Sequence, residues 1–314
     1  MALKGICRKL NPLRQCQDYN IKLWQCPSFL FPLIGLITIL SMIGTYFVAI
    51  AYAQPEIVAL IVVGIAVILT ITGYLIIKGF EDLARANRFK TEFVNIASHQ
   101  LRAPLTGIKW TLELLHKSDH LTFQEMMEKL SMVEESNQRM IQLVNDLLDV
   151  ARIEEGKMNL RPQEVFLNKV AQGLIEEYKE LAKASNVKLV LDADPGLSSI
   201  TIDPQGIGLV LKNLLDNAIR YTHRGGIVKI KLINKDKSIR CEVEDQGVGI
   251  PKKDQKSIFH KFFRSQNIMK YQTIGSGLGL FIAKAFVKKS GGKIGFRSQE
   301  NKGTTFWFEL PINK

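Results

Sequence analysis

No residue between Phe29 and Tyr52 carries a charge, and none does between Ile57 and Ile77. At about 1.5 Å per helical residue, each run reaches across the roughly 30 Å hydrocarbon core of a bilayer. Two such runs within the first 80 residues rule out a purely water-soluble chain and predict two spanning helices. Only Ala53-Gln54-Pro55-Glu56 separates them, a tight polar turn too short to fold into a sensor domain. Lys4, Arg8, Lys9, Arg14 and Lys22 against Asp18 precede the first run, and Lys78, Arg85, Arg88 and Lys90 follow the second. By the positive-inside rule both flanks lie in the cytoplasm, which predicts a multi-pass protein of the cell membrane. A cleaved signal peptide fits poorly, because the first run starts late, is long and is followed at once by another.

That topology absorbs part of the charge imbalance, 42 Lys plus Arg against 30 Asp plus Glu. The remaining excess shows no interleaved basic and aromatic pattern, so direct nucleic-acid binding is not expected. Ordinary Gly and Pro numbers without a short period exclude collagen-like order and wholesale disorder. Cys7, Cys16 and Cys26 lack the C-x-x-C spacing of a zinc site and read as incidental thiols, whereas Cys241 falls in an alternating strand pattern as a core residue. The length allows several modules, and the expected boundaries are a basic leader 1–28, the spans 29–79, a helical hairpin 80–157 and an α+β domain 158–314.

From Phe80 to about Lys117 the pattern is helical. With Val94 at heptad position a, Leu101, Ile108 and Leu115 repeat it, Ala97 and Pro104 take d, and Leu105 and Leu112 widen the stripe. A second helix, about Thr122 to Glu155, places Phe123, Leu130, Asn137, Val144 and Ala151 at a, with Met126, Val133, Met140 and Leu147 at d. Two such helices cannot enclose a dry core alone, so an antiparallel hairpin that pairs with its copy into a dimeric four-helix bundle is expected. Asn137 either fixes register in that seam or marks a solvated edge. His99 falls at position f, facing away from the seam, and Pro104 is expected to bend or loosen the helix beside it. An outward, neutral imidazole offers a nucleophilic nitrogen.

The run Ser98-His99-Gln100-Leu101-Arg102-Ala103-Pro104-Leu105-Thr106 resembles the phosphoacceptor box of the sensor histidine kinases of two-component systems. The resemblance implies that His99 accepts a phosphoryl group from ATP and passes it to an aspartate of a response regulator's receiver domain.

Beyond Glu164 helical and strand patterns alternate. A helix runs to about Ala184, a strand covers Val187 to Leu191, a helix starts at Asp203, and strands follow at Ile227–Leu232, Ile239–Val243, Lys293–Ser298 and Thr304–Leu310. This predicts helices packed on one face of a mixed sheet. Asn213 and Asn217, four apart, share a helical face, and their amide oxygens suit a hard cation such as Mg²⁺ held with phosphate oxygens. Asp245-Gln246-Gly247-Val248-Gly249 follows a strand, where a carboxylate can accept from an exocyclic amine and the glycines admit a base closely. Gly275-Ser276-Gly277-Leu278-Gly279 opens a helix at Phe281–Lys289, so backbone N–H groups can face phosphates. The G-x-G-x-G spacing, with no parallel βαβ unit before it, argues against a dinucleotide fold.

Asn213 to Thr222 resembles the N box of the same kinases, the two glycine segments resemble their glycine boxes, and Ile258 to Arg264 resembles their F box. The resemblance covers residues 88 to 311 and implies a Bergerat-type α+β sandwich that binds ATP and Mg²⁺. It further implies cation contacts for Asn213 and Asn217, phosphate or ribose contacts near Arg220 and Tyr221, adenine reading by Asp245, and contributions from Gly247, Gly249, Gly275, Gly277, Leu278, Gly279 and Thr305. The stretch Arg264–Ile274 reads as a nucleotide lid, and the phenylalanines of the F box suit core packing as well.

Two positions depart from the family pattern. Gln100 replaces the acid that follows the histidine, and it can accept a hydrogen bond but is no useful base. Ala103 replaces a polar residue tied, in the resembling kinases, to dephosphorylating the partner. An ATP-binding scaffold that transfers little phosphate stays open on the first of these. An ATP-driven machine of the gyrase and chaperone superfamily stays open on the shared fold alone. A partner membrane protein or the bilayer itself is the expected source of any stimulus.

Overall fold

The computed structural model describes residues 27–51, 54–117, 122–265 and 275–312. Residues 1–26 of the basic leader with its three cysteines, Tyr52 and Ala53 between the apolar helices, the connection at 118–121, most of the expected lid, 266–274, and residues 313–314 lie outside the described residues. The chain divides into two units after Ser98.

In the first unit, helix α1 spans Pro27–Ala49. Helix α2, Pro55–Lys117, runs on into the second unit as one 63-residue helix. The membrane-length portions, Phe29–Ala49 and Pro55–Leu83, expose their apolar side chains almost throughout; Phe31 is 72% and Leu60 76% exposed. Three hydroxyls on this surface turn back on the helix, Thr38, Thr70 and Thr72 each donating to the carbonyl four residues earlier. Each of these donors is thereby satisfied within its own helix. Gly73 meets the Ile34 side chain so closely that a Cβ there would sit 2.6 Å from it.

Within the second unit the helical assignment of α2 continues through Pro104. Pro104 removes one backbone donor from the helix interior at a partly exposed position. Helix α3, Phe123–Glu154, starts at a capping box in which Thr122 and Glu125 exchange side-chain and backbone bonds.

The α+β part contains β1 (Gln163–Val165), α4 (Leu167–Glu177), α5 (Lys179–Ala184), β2 (Lys188–Ala193), β3 (Ile200–Ile202), α6 (Pro204–Tyr221), β4 (Ile227–Lys235), β5 (Ser238–Glu244), α7 (Gly279–Lys289), β6 (Lys293–Gln299) and β7 (Gly303–Pro311). The main sheet has the order β2-β4-β5-β7-β6, with β2 parallel to β4 and every other pair antiparallel. Alternation along the strands sends Ile230, Leu232, Cys241, Val243, Phe306 and Phe308 into a buried core shared with α4, α6 and α7. The expected single helix up to Ala184 is broken at Tyr178, and a short β1–β3 pair was too brief to show a period.

Candidate functional site

Asp203 caps α6, its Oδ1 accepting from the N–H groups of Gln205 and Gly206 at 2.9 and 3.0 Å, while Pro204 occupies the first turn. The apolar stripe Ile207, Val210, Leu211, Leu214, Leu215 and Ala218 is buried. That orientation leaves Asn213, Asp216, Asn217 and Arg220 along one partly exposed edge. The Nδ2 of Asn213 is buried without a hydrogen-bond partner among the described residues. Such an orphan is rare in a protein interior, where buried amides are hydrogen-bonded. A half turn of the amide exchanges Nδ2 and Oδ1, so the position can offer either a donor or an acceptor. Arg220 does not stand ready for a phosphate by itself, because its Nε donates to Asp216 Oδ2 at 2.6 Å. The half-buried Tyr221 lends its carbonyl to the N–H of Val248 at 3.2 Å.

Asp245 follows the end of β5 and is 6% exposed. Its Oδ1 accepts from the backbone N–H groups of Gly247 at 2.9 Å and Thr304 at 3.1 Å. Both bonds fall on one oxygen, so Oδ2 remains for a ligand. Burial pushes the carboxyl up to about 6, outweighing those two donors. Gly247 has no alternative here: a Cβ would stand 2.0 Å from the Tyr221 carbonyl oxygen. Gly249 follows with φ +64°, and Asn301 donates from its backbone to Val248 at 2.7 Å.

The raised carboxyl has a measurable consequence. A group held neutral in the fold up to about 6, against an ordinary 3.8, stabilises the fold below the lower value, and that contribution is lost as pH rises through the upper one. At pH 7.5 the buried carboxylate therefore costs up to about 3 kcal/mol. Asn retains the oxygen that the two N–H groups need, so Asp245→Asn should raise the thermal midpoint of the nucleotide-free protein at pH 7.5, with the gain shrinking toward pH 5. A midpoint at pH 7.5 equal to or below wild type contradicts this.

The second glycine segment leads into α7, which begins at Gly279 with no side-chain cap, leaving its first N–H groups open. Leu278 is fully buried and holds the segment to the core. Gly279 brings the loop against α6, since a Cβ there would lie 2.4 Å from Asn213 Oδ1. Gly275 and Gly277 have φ of +139° and +71°. Ser276 between them donates from Oγ to Asp146 Oδ2 of α3 at 2.8 Å and accepts from the N–H of Leu278 at 3.3 Å.

In the F-box segment Ile258 is buried and Phe259 and Phe263 pack on the core, Phe259 lying 6.0 Å from the Phe296 ring. Of the expected lid only Arg264 and Ser265 are described.

His99 is exposed on α2, as the heptad register requires. Gln100 is not turned to the imidazole. Its Nε2 donates to the carbonyl of Ser276 at 3.3 Å, which joins the phosphoacceptor helix to the glycine segment.

The backbone N–H of Thr304 donates to Asp245, and the side chain of Thr305 lies on the opposite face of β7 from those of Thr304, Phe306 and Phe308. Ser298, which the sequence did not single out, meets Thr304 Oγ1 with its hydroxyl at 2.8 Å and accepts from the Ile250 N–H at 2.8 Å.

Comparison with known proteins decides what this arrangement belongs to. Residues 202–314 match the family described as histidine kinase-, DNA gyrase B- and HSP90-like ATPase, and residues 89–156 match the His Kinase A phosphoacceptor domain. The sensor histidine kinase GacS of Pseudomonas protegens is 33% identical over 244 residues, covering 74% of this chain and 26% of GacS. The chain belongs to the sensor histidine kinases. It spans about a quarter of the length of the curated relatives it matches, 26 to 28% of the first three. The histidine kinase AdeS of Acinetobacter baumannii shares the fold, with a TM-score of 0.54 at 24% identity, covering 69% of this chain and 98% of AdeS. A structure of the histidine kinase ThkA with the response regulator protein TrrA gives a TM-score of 0.54 at 26% identity, covering 75% of this chain and 66% of that one. As in its family, the kinase's C-terminal module is an ATP-binding domain.

Proposed function

We propose that this chain autophosphorylates on His99 with ATP and transfers the phosphoryl group to an aspartate on a response regulator. The observation that carries the reading is the bond between Gln100 and Ser276, which puts the glycine segment beside the residue that follows His99. Phosphoryl transfer depends on positioning and charge stabilisation, and an exposed imidazole next to a phosphate-facing loop supplies the first. His99 forms a nitrogen–phosphorus bond as the bond from the γ-phosphorus to the bridging oxygen of ADP breaks, and the ring proton leaves to solvent. ATP would supply the phosphoryl group, and Mg²⁺, which Asn213 and Asn217 would hold, would neutralise its charge.

Asn213 and Asn217 are the cation ligands in this reading, the orphaned amide of Asn213 being the fit. Asp245 reads the adenine amine through Oδ2, with Gly247 and Gly249 admitting the base. The backbone at Gly275 and Gly277 and the open N–H groups at the start of α7 face phosphate, while Arg220 and Tyr221 border it. The backbone N–H of Thr304 holds Asp245, and Thr305 contributes to the nucleotide site.

The stripe along α2 and α3 supports a dimer. Leu105, Leu112, Leu130 and Val144 are each 43 to 53% exposed in one protomer, more apolar surface than a single hairpin can cover. A second copy closes this stripe as a four-helix bundle. The two apolar helices anchor the kinase in the cell membrane with both flanks cytoplasmic, and the unbroken α2 carries any input from the bilayer or a partner membrane protein toward His99. The direct test reconstitutes the full chain in lipid vesicles with γ-labelled ATP and a purified receiver domain. Label should leave the kinase and appear on the receiver, and a receiver that stays unlabelled beside a labelled kinase removes the second transfer.

Ala103, one turn past His99 and exposed, offers no hydroxyl or amide to hold a hydrolytic water in line. Gln100 lies three residues earlier and is bonded to Ser276. The kinase should therefore be a poor phosphatase of its regulator. Ala103→Thr should speed decay of the phosphorylated receiver by tenfold or more in the presence of ADP, and wild-type decay already as fast as that of the variant contradicts this.

A further inference from the structure

Asp146 lies at heptad position c of α3, where a solvated residue is expected, yet it is 6% exposed. Leu143 and Val150, on the same helical face, are buried too, and α3 packs there against α7. Glu154 extends the face by one more turn and accepts from Lys261 Nζ of the F-box segment at 2.6 Å. A buried carboxylate destabilises a fold unless its oxygens are satisfied. Both oxygens of Asp146 are: Oδ2 takes the hydroxyl of Ser276 and Oδ1 the Nε2 of Gln142, each at 2.8 Å.

Ser276 is thus gripped from both helices of the hairpin, its hydroxyl by Asp146 and its carbonyl by Gln100. The same hydroxyl accepts from Leu278, so the anchor is tied to the backbone just before the open end of α7. A continuous set of contacts leads from Asn213 through Gly279, Leu278 and Ser276 to Gln100, the neighbour of His99.

We propose that Asp146 is a positioning residue for phosphoryl transfer, anchoring the glycine segment through Ser276 beside His99 of the same chain. The proposal rests on the kinase reading above. Asp146 touches neither nucleotide nor imidazole; it fixes where the phosphate-facing loop stands relative to the acceptor. A misplacement of about 1 Å in such a geometry costs on the order of a hundredfold in rate. Asp146→Asn keeps an oxygen for the Ser276 hydroxyl, so the charge itself is dispensable.

The test measures two quantities in the full-length protein: the initial rate of phosphohistidine formation at saturating ATP, and the affinity for a non-hydrolysable ATP analogue. Asp146→Ala and Ser276→Ala should each lower the rate at least tenfold while changing affinity less than twofold. The double variant should be no slower than the slower single one, because both remove one contact. Asp146→Asn should retain most of the wild-type rate. A wild-type rate in Asp146→Ala, a faster one, or a fall in affinity matching the fall in rate would each overturn the proposal. Should wild type form no phosphohistidine, the kinase reading fails, and the anchor is then judged by amide exchange. With the analogue bound, Asp146→Ala should speed exchange across residues 275–280, and unchanged exchange overturns the anchor too.

Discussion

Replacing His99 by Ala is expected to abolish phosphoprotein formation while leaving nucleotide affinity where it was. The two halves of this outcome come from different parts of the chain. The imidazole is exposed on α2 and makes no contact that holds the fold, so its removal costs little stability. The nucleotide residues sit on α6, at the end of β5 and in the glycine segment, none of which His99 supports. No neighbouring group can substitute: Gln100 is not a nucleophile and its amide is bonded to Ser276. The loss should therefore be complete within detection, measured as acid-labile phosphate after incubation with labelled ATP. Retained acid-labile phosphate in His99→Ala would remove the residue from its role.

The second large effect concerns the nucleotide. Asn217→Ala and Asp245→Ala should each weaken ATP binding by about 2 to 4 kcal/mol, the range expected when a buried polar or charged contact loses its partner. That is roughly 30-fold to 1,000-fold in dissociation constant. The two losses should differ in character. With Asn217 gone, the part of the affinity that depends on Mg²⁺ should fall. With Asp245 gone, discrimination between ATP and a nucleotide lacking the exocyclic amine, such as inosine triphosphate, should disappear. Calorimetric titration with both nucleotides, with and without Mg²⁺, separates them. Wild-type affinity in either variant contradicts that residue's assignment.

Much of this site was legible in the sequence because its chemistry is local. Asn213 and Asn217 share a face by helical spacing, Asp245 ends a strand marked by alternation, and each glycine segment abuts a recognisable element. The bond from Thr304 to Asp245 is made by a backbone N–H, which no side-chain alternation reports. The contacts between hairpin and sheet domain were not legible in that way. Asp146 reads as a solvated residue in the register set by Val144 and Leu147, and only Leu143 and Val150, apolar residues seven apart outside that seam, hinted that α3 has a second buried face. Gln100 shows the same limit. Its departure from the family pattern was plain, but its partner Ser276 is 176 residues away, and no local period reports such a pairing. The continuity of α2 through Pro104 likewise depended on how the surrounding turns absorb one missing donor, which composition alone does not determine.

The central claim is that this chain moves the γ-phosphate of ATP onto His99. Its most direct test incubates the purified full-length wild-type protein in lipid vesicles with ATP labelled in the γ-phosphate, then determines the stability and position of the label. The account predicts an acid-labile, base-stable phosphate carried by the peptide containing His99. Tight ATP binding without any label would make the chain a nucleotide-binding scaffold, and label on another residue, or ATP hydrolysis with no phosphoprotein, would contradict the account outright.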